Sequence, residues 1–205
     1  MLRAIPEILK SFPNFVYICL GATHPDLVRD QGERYRLSLE RLARNLGIGK
    51  NVIFYNRFVE LKELTEFIRA ADVYVTPYLN PTQITSGTLA YSFGCGKAIV
   101  STPYWHAEEL LADGRGVIVP FADPAALAVE VGGLLGDEPR RMAMCTEAYR
   151  LGREMIWERS PHATWRRFNS RGSADKLNRS NRSPFARSPS SKPTCLTGDS
   201  ITFRE

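Results

Sequence analysis

Ser86, Gly87 and Thr88 are three small residues in succession, set immediately before the run LAYSFGC at 89–95. A serine at a helix start accepts a bond from a free backbone amide, and an adjacent glycine leaves the backbone open to a ligand. Such a start carries about half a unit of positive charge. The chemistry it suggests is therefore recognition of an anion, a phosphate above all. Gly96 stops the helix, and 98–100 and 116–119 read as short buried strands. Loop, helix and strand in that order build a phosphate-facing edge of a doubly wound sheet.

Other polar and aromatic residues nearby carry a sharper and a plainer reading. Lys97 is open between a phosphate contact and a solvated loop position. His106 could act as an acid or base beside a sugar, but a half-exposed histidine at the start of a short helix is the simpler account. Tyr104 and Trp105 could wall a cleft, although aromatics after a strand more often pack. Glu108 and Glu109 suit the first turn of a helix. His24 falls in the loop after Gly21, Ala22 and Thr23, where solvent exposure is the default.

Alternating elements must position these groups. Leu2, Ile5, Ile8 and Leu9 recur at helical spacing over 2–11. FVYICL at 15–20, VIFY at 52–55 and VYVT at 73–76 read as strands. Helices are expected over 30–46, 62–71, 125–135 and 139–157. Helices alternating with strands predict an α/β fold, a doubly wound, Rossmann-like parallel sheet with helices on both faces.

The net charge of +5 over 205 residues hints at nucleic-acid binding, but its distribution argues otherwise. Residues 166–205 hold nine Lys/Arg and three Asp/Glu, so this stretch carries +6 and the remainder −1. The body has no bulk electrostatic reason to seek polyanions, and no nucleic acid is expected as a partner. The stretch 166–205 is rich in Ser, Arg, Asn and Pro and is expected to be a disordered basic tail beside a domain at 1–165. Cys19, Cys95, Cys145 and Cys195 form no metal-ligand spacing. Neither metal nor cofactor is expected, and a reducing cytoplasm is the simplest compartment.

The run from 15 to 157 resembles the C-terminal, Rossmann-like half of a GT-B retaining glycosyltransferase of family four. The pieces that carry the likeness are FVYICLG, NVIFYNRFVELKELTEFIRAADVYVTPY, SFGCGKAIVSTP and EELLADGRGVIVPFADPAALA. SGTLAY and STPYWHAEELLADGRG are similar to phrases of a bacterial mannosyltransferase-like branch. The likeness covers about two thirds of the chain, and the pattern is specific as a set rather than piece by piece.

The resemblance implies binding of a nucleotide-sugar donor, GDP-mannose in this branch, for retaining transfer to an acceptor hydroxyl. It places Arg57, Phe58 and Val59 beside the nucleobase, and Ser86, Gly87 and Thr88 at the diphosphate or sugar. Glu109 matches a family position of its own. Where the family shows two glutamates with seven residues between them, for donor sugar and ribose, this chain has Gln83 and Tyr91. Each can hydrogen-bond a hydroxyl; neither supplies a negative charge. The family's domain also opens with a strand and a glycine loop that lie before the first helix seen here. Two inner strand edges are thus expected to stand unpaired, and the chain is expected to be a fragment inactive by itself. Its glycan or lipid-linked acceptor would be held by an N-terminal half, in the cytoplasm or at the inner membrane face. The alternatives are a non-catalytic nucleotide-sugar-binding module and, behind it, a basic-tailed nucleic-acid-binding protein.

Overall fold

β-Branched and aromatic runs of four to six residues, each flanked by a helix, dictate the sheet. The structure, a computed structural model, describes residues 1–23, 28–30, 32–155 and 199–204. Its elements run α1 (Ile5–Ser11), β1 (Phe15–Leu20), α2 (Arg34–Asn45), β2 (Val52–Tyr55), α3 (Leu61–Ala70) and β3 (Val73–Thr76). They continue with α4 (Gly87–Gly94), β4 (Ala98–Ser101), α5 (Trp105–Leu110), β5 (Val117–Ile118), α6 (Pro124–Gly136), α7 (Glu138–Gly152) and β6 (Asp199–Arg204).

The strand order is β2-β1-β6-β3-β4-β5. β1 pairs with β2, β3 with β4 and β4 with β5, all parallel. Period-two alternation sends neighbouring residues to opposite faces. Val73, Val75, Ala98 and Val100 join the core under α1 and α6 (Ile5, Ile8, Val131, Leu134). Tyr74 and Ile99 join the opposite core, with Ile68 of α3 and Leu89 and Phe93 of α4. β3 and β4 are buried along their whole length, as strands covered on both faces must be.

β6 corrects two expectations. The two inner edges do not stand unpaired: β6 runs antiparallel between β1 and β3, with Thr202 opposite both Tyr17 and Val73. Every N–H and C=O removed from water needs a partner, and an antiparallel ladder satisfies both edges at once. Accordingly, 199–204 is a strand where a structureless tail is expected from the sequence; the rest of that tail, 166–198 and 205, lies outside the described residues. Six residues with apolar positions only at Ile201 and Phe203 give too weak an alternation to mark a central strand.

Two close approaches set α4 in place. Gly96 has φ +71°, and a Cβ there would stand 2.8 Å from Tyr149 Cβ and 3.0 Å from the Cys145 carbonyl oxygen of α7. The left-handed turn that ends α4 is thus a position only glycine fills without strain. Asp123 and Asp137 cap α6 and α7 by accepting from the Ala126 and Arg140 amides, both at 2.9 Å.

Candidate functional site

In a parallel sheet the strand C-termini point to one edge, where loops gather and ligands bind. Here that edge carries the turn after β2 with Arg57, Phe58 and Val59, the loop 77–86 after β3, and the turn 102–104 after β4. β6 begins there too, with Asp199 in register opposite Leu20, the last residue of β1.

Loop 77–86 is held from the neighbouring turn. The Thr102 hydroxyl donates to the Tyr78 carbonyl at 2.5 Å. The first two amides of α5 are spent on the same loop: Trp105 N–H on the Pro81 carbonyl at 3.1 Å, and His106 N–H on the Gln83 carbonyl at 3.3 Å. His106 also reaches back, its Nδ1 accepting the Ser86 amide at 2.9 Å. The loop therefore delivers Ser86, buried at 4% exposure, in a fixed attitude to the start of α4.

Ser86 is the cap expected from sequence. Its backbone is extended (φ −128°, ψ 112°), and its hydroxyl accepts from the Leu89 amide at 3.3 Å. Thr88 is anchored from the sheet, its Oγ1 accepting from the buried Tyr74 hydroxyl at 2.9 Å. Gly87 is exposed, and a Cβ on it would meet only Tyr91 Cε2, at 3.9 Å. No charged side chain occurs anywhere in 77–96. Within this segment, attraction for an anion at the helix start comes from backbone dipoles.

The other named residues divide. Gln83 and Tyr91 border the α4 start; Gln83 Nε2 donates to the Thr85 carbonyl at 2.7 Å, and Tyr91 is exposed. Arg57, Phe58 and Val59 lie three strand spacings away, about 14 Å across the sheet. There Arg57 pairs with Glu63 and lies over the Tyr55 ring, 4.8 Å from its centroid. The Tyr55 hydroxyl and Glu63 hold its guanidinium charged above the usual arginine range. Phe58 is 85% exposed, while Val59 packs inward. Glu109 is exposed on α5, its backbone carbonyl accepting from Arg115 at 3.4 Å.

Three further side chains resolve. Lys97 turns away from any phosphate, donating its Nζ to the Arg69 and Ala71 carbonyls at 2.7 and 2.8 Å, and burial pushes its ammonium below the usual lysine range. Tyr104 is fully buried, edge-on to Tyr78 at 5.1 Å, whereas Trp105 is 56% exposed. His24 lies outside the described residues. By sequence alone His106 reads as a half-exposed residue at the start of a short helix. Its contact with Ser86, 20 positions back, follows from the pairing of β3 with β4 and leaves no local signal.

Comparison with known proteins shows the family and the fold. Residues 1–137 match the family model described as Glycosyl transferases group 1. The chain is 30% identical over 166 residues to a D-inositol 3-phosphate glycosyltransferase of Corynebacterium urealyticum, covering 77% of this chain and 36% of that protein. It is 28% identical over 150 residues to a GDP-mannose-dependent alpha-(1-6)-phosphatidylinositol monomannoside mannosyltransferase of Mycolicibacterium smegmatis, covering 70% and 36%. The chain thus spans about a third of the length of these relatives. In fold it matches the crystallised C-terminal domain of a group 1 family glycosyl transferase (LpcC) from Francisella tularensis, with a TM-score of 0.61 at 20% identity, over 75% of this chain and 76% of that one.

Proposed function

The chain belongs to the group 1 glycosyl transferases, and on that premise we propose that it is the part of such an enzyme that binds a nucleotide-activated hexose, with GDP-mannose as donor. The observation that carries this reading is the α4 start. A capped helix N-terminus, with an exposed glycine and no carboxylate in its own segment 77–96, lies at the C-terminal edge of the sheet. A diphosphate bound there meets the positive end of α4 and the open backbone of Gly87. Arg57, Phe58 and Val59, about 14 Å along the same edge, take the nucleobase end of an elongated ligand. The similarity to the GDP-mannose-dependent M. smegmatis mannosyltransferase supports GDP-mannose.

In transfer the diphosphate leaves and its charge grows, so the α4 dipole acts most strongly where the reaction needs it. The acceptor hydroxyl, on a glycan or a lipid-linked sugar, belongs to a second half of the enzyme. Free thiols at Cys19, Cys95 and Cys145 suit a reducing compartment, and the cytoplasm is the proposed location. Among the described residues no helix is long and apolar enough to cross a membrane.

A second reading, a non-catalytic donor-binding module, is favoured by one observation. Gln83 and Tyr91 stand where the family resemblance calls for two carboxylates, and the Gln83 amide is already committed to Thr85. Calorimetric titration of the full chain with GDP-mannose, UDP-glucose and the bare nucleoside diphosphates tests binding. Saturable binding of one nucleotide sugar is expected, and a folded sample that binds none overturns the donor-site reading. Adding an acceptor-binding half from a related transferase and an acceptor separates the readings: transfer supports the enzyme, binding without transfer the module.

A further inference from the structure

We propose that His106 is a positioning residue of this donor site: its neutral imidazole clamps the Ser86 amide and so fixes the start of α4. The inference rests on the donor-site reading above. Nδ1 lies 2.9 Å from the Ser86 nitrogen, and a backbone N–H can only donate, so Nδ1 must carry its lone pair. The proton of the neutral ring is then on Nε2. The same residue's amide holds the Gln83 carbonyl, so one histidine grips both ends of the segment 83–86. Ser86 in turn caps α4 through Leu89. The His106 ring on one side of Gly87 and the Tyr74 hydroxyl on Thr88 on the other thus fix the Gly87 backbone.

Protonation breaks the clamp. An imidazolium has a proton on both nitrogens, and Nδ1–H then faces Ser86 N–H, donor against donor. The surroundings favour the neutral form: desolvation lowers the affinity of His106 for a proton, with the Glu109 carboxylate pulling the other way. The segment and helix it packs against, 77–96, contain no ionisable acid or base other than the cysteine and tyrosine side chains, Glu108 and Glu109 being the charges on its own element.

The sign follows. Burial holds the pKa of folded His106 below the usual histidine range; the clamp is intact above it and fails as pH falls through it. Donor affinity is expected to fall on acidification, although an imidazolium used directly as an anion contact would raise it.

The test is calorimetry of the full chain between pH 7.5 and 5.0 with GDP-mannose, a diphosphate diester whose charge is constant over this range. His106→Asn, whose side-chain oxygen can accept from Ser86 in place of Nδ1, and His106→Ala are compared with the unaltered chain. Expected is an affinity falling with pH in the unaltered chain, a flat profile near the high-pH value in H106N, and about tenfold weaker, flat binding in H106A. Affinity that rises on acidification, or H106A binding as tightly as the unaltered chain at pH 7.5, overturns the proposal. If the chain binds no donor at all, the functional reading falls, and nitrogen NMR of the imidazole judges the clamp alone. A neutral ring protonated on Nε2, with the Ser86 amide signal moving as the ring titrates, supports the clamp; a ring protonated on Nδ1 overturns it.

Discussion

Gly152 of α7 lies against Gly94 of α4 so closely that a Cβ on residue 152 would stand 2.8 Å from the Gly94 Cα. Backbone meets backbone there, with no flexible side chain to give way. The Arg153 guanidinium, next along the chain, donates to the Gly94 carbonyl at 2.9 Å. α7 therefore holds the far end of the helix whose near end is the candidate donor site.

Gly152→Ala is expected to lower stability by about 1–3 kcal/mol, since the methyl must push α4 or α7 aside. Thermal denaturation measures the loss, and calorimetry with GDP-mannose should show weakened binding because α4 tilts. An unchanged melting temperature would mean the two helices are not in this contact.

Gly87 behaves in the opposite way. A Cβ there makes only an ordinary contact, 3.9 Å from Tyr91 Cε2, and alanine favours helix over glycine by up to about 1 kcal/mol. Gly87→Ala is expected to leave stability equal or higher, and Gly87→Leu to keep the fold while weakening donor binding at least tenfold. Undiminished binding by G87L would remove Gly87 from the site.

Lys97 distinguishes a structural cation from a phosphate ligand. Its Nζ caps carbonyls at the end of α3, so Lys97→Met is expected to cost about 1–3 kcal/mol of stability with donor affinity unchanged. A drop in affinity without loss of stability would reverse the assignment.

The β6 strand supplies the fourth expectation. Thr202 is paired on both sides, with Tyr17 and Val73, and proline has no N–H to give either ladder. Both Thr202→Pro and a chain ending at residue 198 should unfold at lower temperature and associate more readily, because two central strand edges are exposed. Melting curves and light scattering read both effects. Identical melting of all three proteins would show that β6 contributes nothing to the sheet.

Much of this arrangement could be read in the residues themselves. FVYICL, VIFY and VYVT are too apolar and β-branched to be anything but strands, and each lies where its residues predict it. Ser86, Gly87 and Thr88 announce a capped helix because capping is local: hydroxyl and amide are three residues apart. What escaped is non-local. Lys97 finds carbonyls 26 and 28 residues back, and His106 finds an amide 20 residues back, because β3 and β4 lie side by side in register from Val73 and Ala98.

The sequence by itself determined the element order, the two-faced burial and the place of the helix start. These depend on side-chain period and on contacts within a few residues of one another. Only the tertiary structure decided which strand fills the gap between β1 and β3, where Lys97 points and what His106 holds. Those outcomes depend on which distant backbone groups the sheet brings within hydrogen-bond reach, and a hydrogen bond over 2.9 Å has no signature in the spacing of the residues that make it.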